Sequence, residues 1–260
     1  MSQPILQAIT DNCLGDIRLL ATDMDGTLTQ QGKFTANLIR TLEQLRVAGI
    51  DVVIVTGRSA GWVDAIATYL PIVGAIAENG GLWYGHHGDR SQLLTEVGNI
   101  QEHRQQLASI FQLLKSKFPQ IQESADNRFR ITDWTFDVAD LSMQELEALH
   151  GICQNEGWGF TYSTVQCHIK PLPQNKADAL EQVVNRYYPD LKSKQIITIG
   201  DSPNDESLFN RDRFPLSVGV ANILTYRDRL THLPVYVTSK DEGEGFCELA
   251  KLLINSNKRS

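Results

Sequence analysis

The sequence is poor in the features that mark several large protein classes. It holds four cysteines, Cys13, Cys153, Cys167 and Cys247, far apart and with no CxxC pair. That spacing lacks both the zinc-ligand pattern and a disulfide framework, so the thiols are expected to stay reduced in a cytoplasmic protein. No apolar run reaches the ~18 residues that a membrane-spanning helix requires, and no membrane role is expected. The opening stretch MSQPILQAITDNCLGDIR has no basic segment followed by an apolar core, and so does not read as a secretory signal. Positive charge is also in short supply: 24 Lys and Arg against 31 Asp and Glu leave a formal net charge of -7. Nucleic-acid binders usually carry a basic balance or stripe, so nucleic acid is not an expected partner. An anionic small substrate is not excluded, because a local cation can override the global field. Low-complexity tracts and internal repeats are absent as well.

What is present is an ordinary globular composition, 42% hydrophobic and 21% charged over 260 residues. That length supports one large domain or two modest ones, with a sizeable core either way. The stretch LLATDMDGTL poses the first question, since Asp23 and Asp25 stand one residue apart where an apolar run meets a Gly-Thr turn. Like charges that close raise each other's pKa unless a cation sits between them or a reaction uses both.

The first third alternates strand and helix. IRLLATD (17–23) and DVVIVTG (51–57) read as buried parallel strands, and VGAIAENGG (73–81) as a third strand with its turn. Between them a helix capped by Thr35 presents Leu38, Leu42 and Leu45 on one face and stops at Gly49, and a second passes through Trp62, Ile66 and Tyr69 to Pro71. The middle changes character. It predicts a helix over 91–118, a strand over 128–138, a helix opened by a Ser142–Glu145 capping box, and one or two strands over 158–173. After Pro173 the first pattern returns, with a helix through Leu180, Val183, Val184 and Tyr187, the strand QIITIGD (195–201), two shorter strands and a last helix through Phe246, Leu249 and Leu253. The expected fold is α/β: a Rossmann-like parallel-sheet core made of 1–84 and 172–260, with an α+β unit inserted at 85–171.

In such sheets ligands gather at the carboxyl ends of the strands. Asp23, Thr56 and Glu78–Asn79 all fall at predicted carboxyl ends, and Asp201 ends a fourth strand with Asp205 four residues on. Asp23, Asp25, Asp201 and Asp205 together make a hard oxygen-ligand set of the kind that suits magnesium. The bland alternatives are sound for each segment alone: Asp25-Gly26 as turn residues, Ser202-Pro203 as a helix start, Thr56 or Ser59 as a helix cap, and Lys176 as a solvated surface lysine. Lys176 stands at the start of a helix, against the dipole, and so needs a reason.

Taken together, Asp23-Met24-Asp25-Gly26-Thr27, Thr56-Gly57-Arg58, Lys176 and Gly200-Asp201-Ser202-Pro203-Asn204-Asp205 resemble, in order, the four motifs of the haloacid dehalogenase superfamily of phosphohydrolases. The large insertion and the ENGG at 78–81 look like the Cof-like, sugar-phosphatase branch, and GDSPND looks like mannosyl-3-phosphoglycerate and sucrose-phosphate phosphatase relatives. The resemblance implies Asp23 as nucleophile and Asp25 as general acid/base. It implies magnesium held by Asp23, the Asp25 backbone carbonyl and Asp201, with Asn204 and Asp205 orienting that site. It also implies a phosphoryl group held by Thr56, Gly57 and Lys176. Family dehalogenases lack the second aspartate, so Asp25 points to phosphate chemistry.

The inserted unit is expected to act as a cap that selects the leaving group through some of Arg128, Arg130, Asp133, Trp134, His168 and Lys170, unless these merely solvate outer strand faces. His86-His87 reads as a linker pair, and His150 as a packing residue. The expected activity is a magnesium-dependent phosphatase for a small phosphate monoester, a sugar phosphate or a phosphorylated glycerate derivative, in a monomer or simple homodimer. A phosphohexomutase and a non-catalytic phospho-ligand sensor are the alternatives.

Overall fold

The computed structural model describes residues 2–11, 13–85 and 91–257. The His86-His87 pair lies outside them. In chain order the elements are β1 (Gln3–Pro4), α1 (Gln7–Thr10), β2 (Leu19–Thr22), α2 (Ala36–Val47), β3 (Asp51–Val55), α3 (Ala60–Tyr69), β4 (Gly74–Ala77), β5 (Leu82–Gly85) and β6 (Gln92–Leu93). There follow α4 (Ile100–Lys117), β7 (Trp134–Asp137), α5 (Met143–Asn155), β8 (Trp158–Tyr162), β9 (Gln166–Pro171), α6 (Lys176–Tyr187), β10 (Ile196–Gly200), β11 (Ser217–Gly219), β12 (Tyr236–Val237) and α7 (Glu242–Asn257).

The larger sheet has nine strands in the order β1-β12-β11-β10-β2-β3-β4-β5-β6. Pairing is parallel from β1 through β4 and antiparallel for β5 and β6. The central strands are buried on both faces, which is why their sequences run apolar without alternation. Leu20, Val52 and Ile54 pack on one face with Leu38, Leu42 and Leu45 of α2 and Phe246 of α7. Leu19, Ala21, Val53 and Val55 pack on the other with Ala177, Leu180 and Val183 of α6. The outermost strand, β6, comes from beyond residue 84, so this sheet extends into the stretch expected to belong to the insertion.

A second sheet, β7-β9-β8, is antiparallel and has its own core, in which Leu107, Phe111 and Leu114 of α4 meet Leu149, Phe136, Phe160 and Ile169. The Ser142–Glu145 capping box is formed, and His150 packs edge-on against Phe160.

Two expectations are corrected here. The helix expected over 91–118 begins only at Ile100, because Gln92–Leu93 pair with β5 as a strand and the Asn99 side chain caps the helix by accepting from the amides of Gln101 and Glu102. The strand expected over 128–138 exists only as Trp134–Asp137, preceded by a 3₁₀ turn at Asn127–Phe129. The amides of Ile131, Thr132 and Asp133 have no strand partner, since all three donate to the carboxylate of Glu78 in the larger unit. A buried amide needs an acceptor, and here a side chain 53 to 55 residues upstream supplies it in place of a ladder.

Candidate active site

β10, β2 and β3 are neighbours at the centre of the sheet, and their register sets Ile199 beside Thr22 and Thr22 beside Ile54. Continuing each strand by one or two residues delivers Asp201, Asp23 and Thr56 to a single carboxyl edge, with the Asp23 amide donating to the Ile199 carbonyl at 2.9 Å. The sequence brings these residues together because each ends an apolar run of similar length in a parallel sheet.

Ligand oxygens of Asp23, Asp201 and Asp205 lie within 4.8 Å of one another, and all three side chains are buried. Lys176 is buried too. Its Nζ donates to Asp23 Oδ1 at 2.5 Å and to Asp205 Oδ1 at 2.7 Å. Burial alone would depress this lysine, but Asp205 and Asp23 more than compensate and keep it charged. That answers why a lysine opens α6 against the dipole: it is an internal counter-ion, not a surface residue.

One cation among three carboxylates leaves the cluster over-supplied with negative charge. Burial and the nearby Asp205 push the Asp23 carboxyl up to about 7 despite Lys176. Burial and the charges on Asp23 and Asp205 raise Asp201 well above the carboxylate range. Asp205 is committed to structure, since its Oδ2 accepts from the amides of Asp201 and Ser202. Asp201 is steadied by Asn222, whose Nδ2 reaches its Oδ2 at 3.0 Å and also donates to the Gly26 carbonyl. Gly26 has φ +80°, and a Cβ there would fall 2.4 Å from Asp201 Oδ2, so the turn after Asp23 closes only with glycine. A buried set of oxygen ligands whose carboxyls are pushed up by mutual repulsion is what a small divalent cation relieves, so these residues fit a metal.

Asp25 faces elsewhere. Its carboxylate takes a two-pronged contact from Arg58, Nε at 2.8 Å and Nη2 at 2.6 Å. Thr56 Oγ1 accepts from the Arg58 amide. Neither Thr56 nor the Ser59 hydroxyl caps α3. The cap is Glu78 Oε1, which takes the Ala60 amide at 2.9 Å. Glu78 and Asn79 both have φ of 54°, and this left-handed turn aims the carboxylate at α3 and the second unit, and the Asn79 amide oxygen at Asn204 Nδ2. Asn204 therefore joins the edge of the site through Asn79 and accepts from Ser202 Oγ.

The second unit lies over this edge. Asp23, Asp25, Thr56, Gly57, Arg58 and Asn204 share with Ser163, Val165, Gln166 and His168 a space of about 10 Å³, room for about one water. Of the six residues expected to meet substrate, His168 alone lines that space. Lys170 lines an adjoining hollow of about 290 Å³ with Lys176 and Asn204, and its Nζ donates to the Gln174 carbonyl. Burial brings this amine down to about 8.

Arg130 and Asp133 are buried in a latch. Arg130 donates to Asp126, Asp133, Gln166 and the Gly57 carbonyl of the larger unit. Trp134 is turned inward, stacked on Phe111 and covered by the Arg104 guanidinium 4.3 Å from its ring, so it is not placed to stack on a sugar. Arg128 is exposed over Phe129. Larger hollows of about 380 to 640 Å³ lie away from the carboxylates. Sequence reasoning did not single out Arg58, Glu78, Asn79 or Asn222 as site residues. The first three sit within segments it did mark, whereas nothing local sets Asn222 apart.

Residues 20–118 and 97–224 match the haloacid dehalogenase-like hydrolase family, and the chain belongs to that family. A phosphoglycolate phosphatase from Methanothrix thermoacetophila is 29% identical over 241 residues, 90% of this chain and 95% of its own length. A protein of known structure from Thermoplasma acidophilum superposes with a TM-score of 0.69 at 22% identity, covering 91% of this chain and 98% of its own. The C-terminal domain of trehalose-6-phosphate phosphatase from C. albicans does so with a TM-score of 0.72 at 15% identity, covering 98% and 99%. The chain is accordingly a haloacid dehalogenase-like hydrolase on a Rossmann-like core. No helix among the described residues is long and apolar enough to cross a membrane.

Proposed function

We propose that the chain is a magnesium-dependent phosphatase that hydrolyses a small phosphorylated metabolite through an aspartyl-phosphate at Asp23. The candidate substrates are sugar phosphates, phosphorylated glycerates and the phosphoglycolate named for the archaeal relative. The observation that carries this reading is the pairing of two differently treated carboxylates. Asp23 is held by a buried lysine inside the acidic cluster, while Asp25 is held outside it by Arg58.

Phosphoryl transfer depends on positioning and charge neutralisation. At ~4 Å and an effective dielectric of ~20, a carboxylate approaching one phosphate charge is opposed by about 4 kcal/mol. Magnesium held by Asp23, Asp201 and the Asp25 backbone carbonyl would neutralise that repulsion, with Asp205 and Asn204 orienting the site. Lys176 fixes one oxygen of Asp23, leaving the other to attack phosphorus as the P–O ester bond breaks. Asp25 takes up a proton from solvent as the ester binds, gives it to the departing alkoxide, then takes one from the water that attacks phosphorus and releases Asp23. Thr56, Gly57 and Lys176 hold the transferring group.

The second unit, made from the part of the expected insertion 85–171 that follows β6, acts as the cap. The space of about 10 Å³ beneath it is too small for an ester, so substrate entry requires the hairpin between β8 and β9 to lift.

The test is a phosphate-release screen over sugar phosphates, phosphoglycerates, 2-phosphoglycolate and nucleotides, with magnesium and with a chelator. Release that needs magnesium and vanishes in Asp23→Asn is expected. No release from any ester refutes the reading, and isomer interconversion without release assigns a mutase instead.

A further inference from the structure

Asp133, Arg130 and His168 form a buried chain that ends in the space beside Asp23. Arg130 Nη1 lies 3.0 Å from both Asp133 oxygens, and His168 Nδ1 lies 2.8 Å from Asp133 Oδ2. Asp133 is fully buried and His168 is 2% exposed. Burial would raise the Asp133 carboxyl, but Arg130 and His168 outweigh it and hold it below its usual range. An ionised carboxylate only accepts, so the bond to His168 is donated by Nδ1–H. Burial keeps the imidazole neutral, so Nε2 carries the lone pair.

The other side of the ring faces Gly57. A Cβ on Gly57 would meet His168 Cε1 at 2.9 Å and Nε2 at 3.1 Å, so only a glycine lets the ring reach the space that Asp23, Asp25 and Arg58 share. Among the described residues, Nε2 has no hydrogen-bond partner.

Resting on the phosphatase reading, we propose that His168 reads the leaving group: its Nε2 accepts a hydrogen bond from a hydroxyl of the alcohol being released. The favoured substrates are then phosphorylated polyols and sugars with a free hydroxyl near the ester oxygen. A carboxylate at that place would meet the Nε2 lone pair and Asp25, and the Arg58 guanidinium beside them is already engaged by the Asp25 carboxylate. An ammonium would meet the Arg58 guanidinium across the same space. Arg130 and Asp133 are positioning residues, since they fix which nitrogen holds the proton.

The experiment compares kcat/KM for three esters in one preparation: glycerol 1-phosphate, propyl phosphate, which lacks the hydroxyls, and 2-phosphoglycolate, which replaces them with a carboxylate. One hydrogen bond is worth about tenfold. The wild type is expected to favour glycerol 1-phosphate over propyl phosphate by about tenfold or more. His168→Ala is expected to bring that ratio to about one, while His168→Gln, which offers an amide oxygen, retains part of it. Asp133→Asn offers Nδ1 a donor, moves the ring proton to Nε2, and is expected to raise 2-phosphoglycolate relative to glycerol 1-phosphate.

The ratios do not depend on how much of a variant preparation is folded. An unchanged ratio in His168→Ala, or no hydroxyl preference in the wild type, overturns the proposal while the phosphatase reading stands. A second readout needs neither a variant nor turnover. Nitrogen-15 NMR of imidazole-labelled wild type is expected to show Nε2 unprotonated at neutral pH, and to shift it with glycerol 1-phosphate and not with propyl phosphate. A protonated Nε2, or equal shifts with both, overturns the proposal even where no ester is hydrolysed. A hydroxyl-dependent shift without hydrolysis supports it and rejects the phosphatase reading alone.

Discussion

Replacing Lys176 with methionine probes the electrostatic account most directly. Methionine keeps the length and the apolar stem but removes the charge that Asp23 and Asp205 share. Three carboxylates with ligand oxygens within 4.8 Å then face one another unrelieved. At about that separation and an effective dielectric of ~20, each ionised pair repels by about 3.5 kcal/mol. The loss is bounded, because Asp23 and Asp201 escape by taking up protons, and both are already raised in the wild type. Removing one partner of a buried ion pair typically costs about 3–5 kcal/mol, and that is the expected destabilisation at pH 8 in chelator.

The sign with pH follows from the same groups. Lys176 stays charged throughout the range below the ordinary lysine pKa, so its own titration adds no variation between pH 5.5 and 8. Asp23 has a folded pKa raised to about 7, so its ionised form burdens the fold increasingly as pH rises through that value. The cost of Lys176→Met is therefore expected to be smaller at pH 5.5 than at pH 8. Urea unfolding followed by circular dichroism at the two pH values measures it. A loss below ~1 kcal/mol at pH 8, the size of an exposed pair, or an equal loss at both pH values, refutes the reasoning. Turnover by this variant is expected to fall about 10²–10³-fold.

Three further outcomes are expected. In chelator the wild type is expected to lose stability as pH rises from 6 to 8, and magnesium at 100 times its Kd is expected to restore about 2.7 kcal/mol, about 5–10 °C in melting temperature; calorimetry that shows no magnesium dependence at pH 8 would contradict the metal assignment. Arg58→Leu frees Asp25 from its two-pronged anchor, so hydrolysis of an alkyl phosphate, which needs a proton on its leaving group, is expected to drop about 10²-fold, and p-nitrophenyl phosphate much less; equal losses on both would show that Arg58 acts on binding and not through Asp25. Gly26→Ala places a methyl group against Asp201 at positive φ and is expected to cost more than about 1 kcal/mol and to weaken magnesium binding, as titration calorimetry would reveal.

Glu78 illustrates how one side chain can replace a local rule. Its carboxylate caps α3 where Ser59 does not, and it supplies the acceptor for the stretch 131–133 that the β-rich sequence there would otherwise commit to a ladder. The same contacts tie the second unit to the larger one beside the site, together with Arg130 on the Gly57 carbonyl.

Periodicity and chain order determined most of the larger unit. Apolar runs that end in Asp23, Thr56 and Asp201 are strands buried on both faces, and a parallel sheet necessarily presents their ends together. The oxygen-rich character of the site follows from local pattern, and the four motif segments from the resemblance to the family. Only the tertiary structure decided the rest, because each such feature joins residues whose sequence neighbourhoods do not announce the contact. Lys176 taken alone reads as a surface lysine and is marked for the site only by the family resemblance; its contacts with Asp23 and Asp205, 153 and 29 residues away, arise only where α6 packs it between them. Among the insertion's polar residues, pattern offers no reason to separate Trp134, which turns into a core, from His168, which reaches the space beside Asp23 and Asp25. A strand's alternation states that neighbours face opposite ways, but which face meets the active site depends on how one unit docks on the other, and that docking is settled by buried charge pairs and hydrogen bonds acting across long stretches of chain.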